Sequence, residues 1–191
     1  DVLGSRGLGD VYKRQVDDSI MHAFGGNDTV YGSDGNDIIY GNEGDDVLYA
    51  GSGNDLVYGG DGNDILDGGE GDDFLYGGSD NDTYVFGRNY GTDIISDSEG
   101  VSTIKIADGI SLDELDIISV GEDIVISLSD SEDKLIINGF AENPDNYILE
   151  VGGERTSLKD RVSAVNDEFL SGSDEGDYIC LLYTSDAADD K

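Results

Sequence analysis

Between Ala23 and Val85 large apolar side chains return every nine residues, and glycine, aspartate and asparagine fill the intervals. In blocks of nine from Ala23 the chain reads AFGGNDTVY, GSDGNDIIY, GNEGDDVLY, AGSGNDLVY, GGDGNDILD, GGEGDDFLY and GGSDNDTYV. The eighth place is always large and apolar or aromatic, and the last three places favour extended structure. This spacing predicts a three-residue strand per block, with the eighth-place side chain in a narrow core and its neighbours facing out. Glycine at the first, second and fourth places permits the positive φ of a sharp turn. Asn or Asp at the fifth place tolerates left-handed geometry. Each block reverses the chain, so blocks i and i+2 stack, and a full coil takes eighteen residues. The predicted fold is all-β, a parallel solenoid.

The polar places carry the chemistry. Asp28, Asp37, Asp46, Asp55, Asp64, Asp73 and Asp82 occupy the sixth place of all seven blocks. Gly26, Gly35, Gly44, Gly53, Gly62 and Gly71 occupy the fourth place of six. Stacked strands lie about 4.8 Å apart, which sets equivalent carboxylates at that repeat along two edges. Such a ladder of like charges is destabilising unless something answers it. Residues 23–85 hold 15 acids and no base, so the answer is not a side chain. A cation midway between two coils lies roughly 2.4 Å axially from each, close to a calcium–oxygen bond. Calcium takes about 6 to 8 oxygens, which carboxylates and turn carbonyls can supply; magnesium prefers a tighter, water-rich octahedron.

Composition then narrows the partners. Residues 5–15 (SRGLGDVYKRQ) and 180–190 (CLLYTSDAADD) share nothing with the stretch between them. Both resemble the translated arms of a sequencing adapter, so 1–15 and 180–191 are set aside and the native part is taken as 16–179, a piece of a longer reading frame. The net charge of −34 changes little when they are removed, because five acids and four bases go with them. So acidic a chain is repelled by nucleic acid and by anionic membrane. No apolar run approaches the roughly 20 residues of a membrane span. The single cysteine, Cys180, lies in the adapter-like end, which excludes a disulfide framework from the rest. One histidine, His22, and no paired nucleophile and base leave nothing that supports catalysis.

The blocks resemble GGxGxDxUx, the calcium-binding nonapeptide of repeats-in-toxin proteins. The resemblance implies a right-handed parallel β-roll with calcium ions between its turns. It implies ligands at the seven sixth-place aspartates, with carbonyls of Gly35, Gly44, Gly53, Gly62, Gly71 and their neighbours. Pairing blocks i and i+2 gives at most five calcium sites. It also implies a secreted or cell-surface protein, exported by a type I secretion apparatus and folded by calcium outside the cell. Ala23, Phe24 and Asp80 replace expected glycines, so the terminal sites depart from the pattern. Upstream, Asp18-Ser19-Ile20 reads as a decayed block displaced by one residue. Downstream, Phe86 and Gly87 are extra, after which RNYGTDIIS and DSEGVSTIK return to register with Gly91, Asp93 and Gly100, and Ser102 replaces an aspartate. The roll is therefore expected over 16–105, with weaker binding at its end.

Residues 106–168 change character. LDIISVG, DIVISLS, KLIING and YILEVGG alternate as strands between turn signals, and SLDE at 111–114 can open a short helical turn as a capping box. This part resembles the haemolysin-related β-rich domain that follows many such rolls. FLSGSDEGDYI at 169–179 has the spacing of a second repeat block, which suggests a parent built of tandem roll and cap modules. That parent is a toxin or exoenzyme with its active domain upstream, or an adhesin or surface-layer array. Ninth-place Tyr31, Tyr40, Tyr49, Tyr58 and Tyr76 form outward ladders whose simplest role is cross-strand packing. A glycan-binding platform is the sharper alternative.

Overall fold

Strands begin at the seventh place of each block and run through the third place of the next. They are β4 (Thr29–Asp34), β5 (Ile38–Glu43), β6 (Val47–Ser52), β7 (Leu56–Asp61), β8 (Ile65–Glu70) and β9 (Phe74–Ser79) in a computed structural model that describes residues 2–3, 11–13, 18–97 and 99–162. They are twice the predicted length. The side-chain alternation stops after the first place, but the coil above still offers partners to the turn amides. Ser33 thus stays paired with Gly51, and Asp34 with Ser52. Three shorter strands precede them: β1 (Val2–Leu3), β2 (Val11–Lys13) and β3 (Ile20–His22). β10 (Thr83–Phe86), β11 (Thr92–Ile95) and β12 (Ser102–Ile106) follow.

Odd-numbered strands stack into one parallel sheet and even-numbered strands into another. Ile20 pairs with Ile38 and Ser19 N–H donates to Asp37 Oδ1 at 2.8 Å. The upstream block is therefore in register, with Ser19 at the sixth place, and the expected one-residue displacement is corrected. Val2–Leu3 and Val11–Lys13, from the segment set aside on sequence grounds, pair eighteen residues below Ile20–Met21 and Thr29–Tyr31. The insertion of Phe86 and Gly87 stretches one coil to twenty residues, since Thr83 pairs with Thr103 and Tyr84 with Ile104. Eighth-place Val30, Ile39, Leu48, Val57, Leu66, Leu75 and Tyr84 are buried in one line between the sheets.

The segment after the roll extends both sheets. β13 (Leu115–Val120), β14 (Asp123–Leu128), β15 (Lys134–Ile137) and β16 (Tyr147–Val151) coincide with the four predicted strands. β17 (Glu154–Ser157) has no sequence signal. β15 lies parallel on β11 and β16 parallel on β12, and one core runs from Met21 to Leu158. Leu112–Glu114 form a 3₁₀ turn in which Glu114 Oε2 accepts the Ser111 N–H at 2.8 Å. Where the roll lacks a further coil, Asp133 substitutes for one, accepting from the Asn89 and Gly91 amides at 3.0 and 2.8 Å. Residues 163–191, including the repeat-like stretch 169–179, lie outside the described residues. Among the described residues no helix is long and apolar enough to cross a membrane.

Positive φ falls at the second and fourth places, not the fifth as expected. Phe24, Ser33, Asn42 and Asn89 take it at the second place and Asp80 at the fourth, with φ of 74° for Asp80. A side chain with a Cβ is strained there. Asp80→Gly is expected to stabilise the calcium-loaded chain by about 1 kcal/mol net of the glycine's extra freedom when unfolded. A higher denaturation midpoint in calcium checks this.

Candidate metal centre

The sixth-place carboxylates are not on the surface. Asp28, Asp37, Asp46, Asp55, Asp64, Asp73 and Asp82 are each at most 2% exposed, and Asp93 joins them at 0%. From Asp37 onward, each reaches along the solenoid axis to the coil before it. Asp46 Oδ1 accepts the Asp28 N–H at 2.7 Å, Asp55 Oδ1 that of Asp37 at 2.6 Å, and Asp64 Oδ1 that of Asp46 at 2.7 Å. The series continues through Asp73 and Asp82 to Asp93, whose Oδ1 accepts from Asp73 at 3.1 Å. Asp37, Asp55, Asp73 and Asp93 form a first edge, and Asp28, Asp46, Asp64 and Asp82 a second. Asp93 belongs to this set although its turn, RNYGTD, keeps only one glycine. Its spacing of twenty from Asp73, once the two extra residues are allowed for, was the signal.

The second oxygen of these groups is left over. Oδ2 of Asp46, Asp55, Asp64, Asp73, Asp82 and Asp93 is buried and has no hydrogen-bond partner. Burial, then neighbouring carboxylates, push the Asp55, Asp64 and Asp82 pKa values up to about 7 and that of Asp93 to about 9. Asp46 and Asp73 rise to about 6, again mainly through burial. A buried, unpaired acceptor costs roughly 1–3 kcal/mol, and more when it is charged. A row of them implies a missing positive partner.

The glycines set the space around those oxygens. A Cβ on Gly59, at the first place, would lie 2.3 Å from Asp64 Oδ2 and 2.5 Å from the Gly77 carbonyl oxygen. On Gly41 it would lie 2.5 Å from both Asp46 Oδ2 and the Gly59 carbonyl. Two electron-rich oxygens thus converge on one small space with no donor between them. At the fourth place, Gly44, Gly53, Gly62 and Gly71 have φ between 121° and 134°. Their absent Cβ atoms would meet the carbonyls of Gly26, Gly35, Gly44 and Gly53 at 1.9–2.3 Å. Gly35 shares the positive φ. The glycines predicted from the motif therefore let main-chain oxygens close in, coil upon coil.

No group of three or more His, Cys, Asp or Glu side chains suited to a metal occurs among the described residues. An ion held here must draw most of its oxygens from the backbone, with one or two carboxylates. Calcium, with its high and flexible coordination number and carbonyl tolerance, fits that donor set better than magnesium.

The fifth place has a role that sequence reasoning missed. Asp18, Asn36 and Asn54 accept, through Oδ1, the amides of Asn36, Asn54 and Asp72 at 2.8–3.0 Å. On the other edge Asn27 and Asp45 accept those of Asp45 and Asn63 at 3.1 and 2.9 Å. This outer ladder points opposite to the sixth-place ladder. It explains Asn or Asp at the fifth place by amide capping rather than left-handed backbone. The exposed Asp45 is held below the usual carboxylate range by the Asn63 amide, in contrast to its buried neighbour Asp46.

The ninth-place tyrosines stack. Tyr40–Tyr58 and Tyr58–Tyr76 ring centroids lie 5.0 and 4.9 Å apart, within 14° of parallel, and His22 extends the row on Tyr40 at 4.6 Å. Tyr31 and Tyr49 form a second row at 5.0 Å. Within such a row the faces cover one another and the edges remain outward. This geometry supports cross-strand packing over a platform that would offer ring faces to sugars.

A family model described as RTX calcium-binding nonapeptide repeat (4 copies) matches residues 22–57, 49–84 and 58–93. A comparison with curated proteins finds no match. Among solved structures, the extracellular lipase LipA from Serratia marcescens is similar over 66% of this chain and 38% of its own, at 14% identity and a TM-score of 0.31.

Proposed function

Residues 22–93 are RTX calcium-binding nonapeptide repeats folded as a parallel β-roll, and from that premise we propose that calcium between stacked coils is the switch that folds this chain. The ions are held by the carboxylates of Asp28, Asp37, Asp46, Asp55, Asp64, Asp73 and Asp82. Asp93 extends the set, and carbonyls of Gly35, Gly44, Gly53, Gly62 and Gly71 with their turn neighbours complete it. The observation that carries this reading is the row of buried Oδ2 atoms without a hydrogen-bond partner. Calcium supplies the positive charge there. The chain supplies the spacing, the glycine-opened room and the amide bonds that hold each Oδ1 in place.

Without the ion, the repulsion of these carboxylates and the freedom of the glycines work against folding. With it, each occupied site stabilises the folded form by mass action. Extracellular modules bind calcium with dissociation constants of about 10⁻⁴–10⁻³ M, so the segment stays loose inside a cell and folds outside. That behaviour suits passage through a type I secretion channel. The segment itself then performs no catalysis. It serves a secreted parent, either a toxin or exoenzyme with its active part elsewhere, or an adhesin array in which stacked modules are the product. Circular dichroism of the full chain tests the switch. The β signal is expected to be weak in EGTA, strong in millimolar calcium, and little changed by magnesium. Identical spectra in EGTA and calcium would end this reading.

A further inference from the structure

We propose that the last carboxylate of the second edge, Asp97, needs no metal ion: Tyr84, Asp97 and Ser102 form a hydroxyl–carboxylate lock that closes the edge's last turn and keeps the C-terminal coil folded when calcium is absent. This rests on the calcium reading of the upstream turns.

Those turns set the comparison. Beside Asp46 and Asp64 the room left by the first-place glycine is shared with a carbonyl of the next coil. Beside Asp82 it is not. A Cβ on Gly77 would lie 2.1 Å from Asp82 Oδ2 and 2.3 Å from the Tyr84 hydroxyl. Tyr84 is fully buried and stands at the eighth place, which is aliphatic in every block from Val30 to Leu75. Its phenol reaches this point because pairing of β9 with β11 stops at Leu75 and Ile95. The Gly77 amide donates to the phenol at 2.8 Å, and the phenol donates to Asp97 Oδ2 at 3.0 Å.

The carboxylate of this turn has changed place. Ser102 stands where the repeat has aspartate, and Asp97 stands at the first place, where the coil before it on this edge has Gly77. Ser102 Oγ donates to Asp97 Oδ2 at 2.5 Å, and the Glu99 amide donates to Oδ1 at 3.2 Å. Tyr147, from β16, donates to the Asp97 carbonyl at 2.8 Å and ties the lock to the cap. Both carboxylate oxygens of Asp97 therefore have donors, whereas Oδ2 of Asp46, Asp64 and Asp82 on the same edge has none. Two hydroxyls and an amide do here what a cation does elsewhere, and they need no dissolved ion.

Hydrogen exchange on the full chain, read by mass spectrometry, tests the lock. In EGTA, peptides covering residues 77–84 and 97–106 are expected to exchange at least about tenfold more slowly than those covering 35–53. Tyr84→Phe removes that difference while the number of calcium ions bound at saturation stays the same. Ser102→Ala, which takes one donor from Asp97 and the long 3.4 Å acceptor from the Asp82 amide, reduces the difference in the same direction. Uniform exchange in EGTA, in a chain that still binds calcium, overturns the lock alone. Loss of a bound ion in Tyr84→Phe also overturns it, because the phenol is then a ligand. A parent chain that binds no calcium overturns the calcium reading and the lock with it.

Discussion

Asp64→Asn is expected to leave the metal-free chain at least as stable as the parent while raising the calcium concentration needed to fold it by about tenfold or more, a loss of roughly 1.4 kcal/mol. Asp64 has two jobs that this substitution separates. Its Oδ1 accepts the Asp46 amide at 2.7 Å, and an asparagine oxygen can accept the same bond. Its Oδ2 is buried without a partner, and its pKa of about 7 reflects the difficulty of holding a charge there. Asparagine removes that charge and the repulsion from Asp46, so the apo chain gains. The site between coils loses its anionic ligand, so calcium binds less. Asp64→Ala has a different signature. It also strips the Asp46 amide of its acceptor, at about 1–3 kcal/mol, with or without calcium. Calcium titrations and apo denaturation curves of both variants distinguish the roles. Equal apo destabilisation by Asn and Ala, with an unchanged calcium midpoint, would make these carboxylates purely structural.

The second expected result concerns pH, and its sign is the reverse of the common one for carboxylates. In the metal-free fold Asp46 and Asp73 titrate at about 6, Asp55, Asp64 and Asp82 at about 7, and Asp93 at about 9. In the unfolded chain an aspartate titrates near 3.9. Between those values the folded form holds more protons than the unfolded one, so its stability falls as pH rises. The penalty is absent below about 4, grows through 6 and 7, and is complete above about 9. Keeping one carboxylate ionised when its pKa has moved from about 4 to about 7 costs about 4 kcal/mol. Two or three such groups match the 5–15 kcal/mol that stabilises a whole domain. In EGTA, acidification from pH 8 towards 5 is therefore expected to strengthen the β signal. In calcium the trend reverses, because protons compete with the ion for the same oxygens and the calcium midpoint rises as pH falls below about 7. A metal-free chain that loses structure steadily on acidification would show that the sixth-place carboxylates fold ionised without help.

Most of the site is legible in the repeat itself. Asp at the sixth place in seven blocks, with glycine at the fourth in six, fixes which residues face one another eighteen positions apart. Asp93 and Ser102 align as well, once Phe86 and Gly87 are counted as extra. Ser19 is misplaced by sequence because a nearby aspartate, Asp18, suggests a slip that pairing with Asp37 rules out. The fifth place invites a backbone role because Asn and Asp share a tolerance for left-handed φ. Their side chains cap amides in the next coil instead, a contact between residues eighteen apart that local propensity does not encode.

Sequence alone determined the period, the all-β solenoid, the line of core residues and the candidate ligands, because each follows from a strict nine-residue spacing acting on strand and turn geometry. It also marked the four strands of the cap that alternate. Tertiary structure decided what the spacing could not. Stacking buried the aspartates instead of lining an acidic rim with them, and from Asp37 to Asp93 it gave one oxygen of each to an amide. It carried both sheets on into the cap, through β15 on β11 and β16 on β12. It also brought Tyr84, Asp97 and Tyr147 together across fifty residues. Periodicity specifies where a residue recurs; only the packed coils specify which atoms are left without a partner, and it is those atoms that demand the ion.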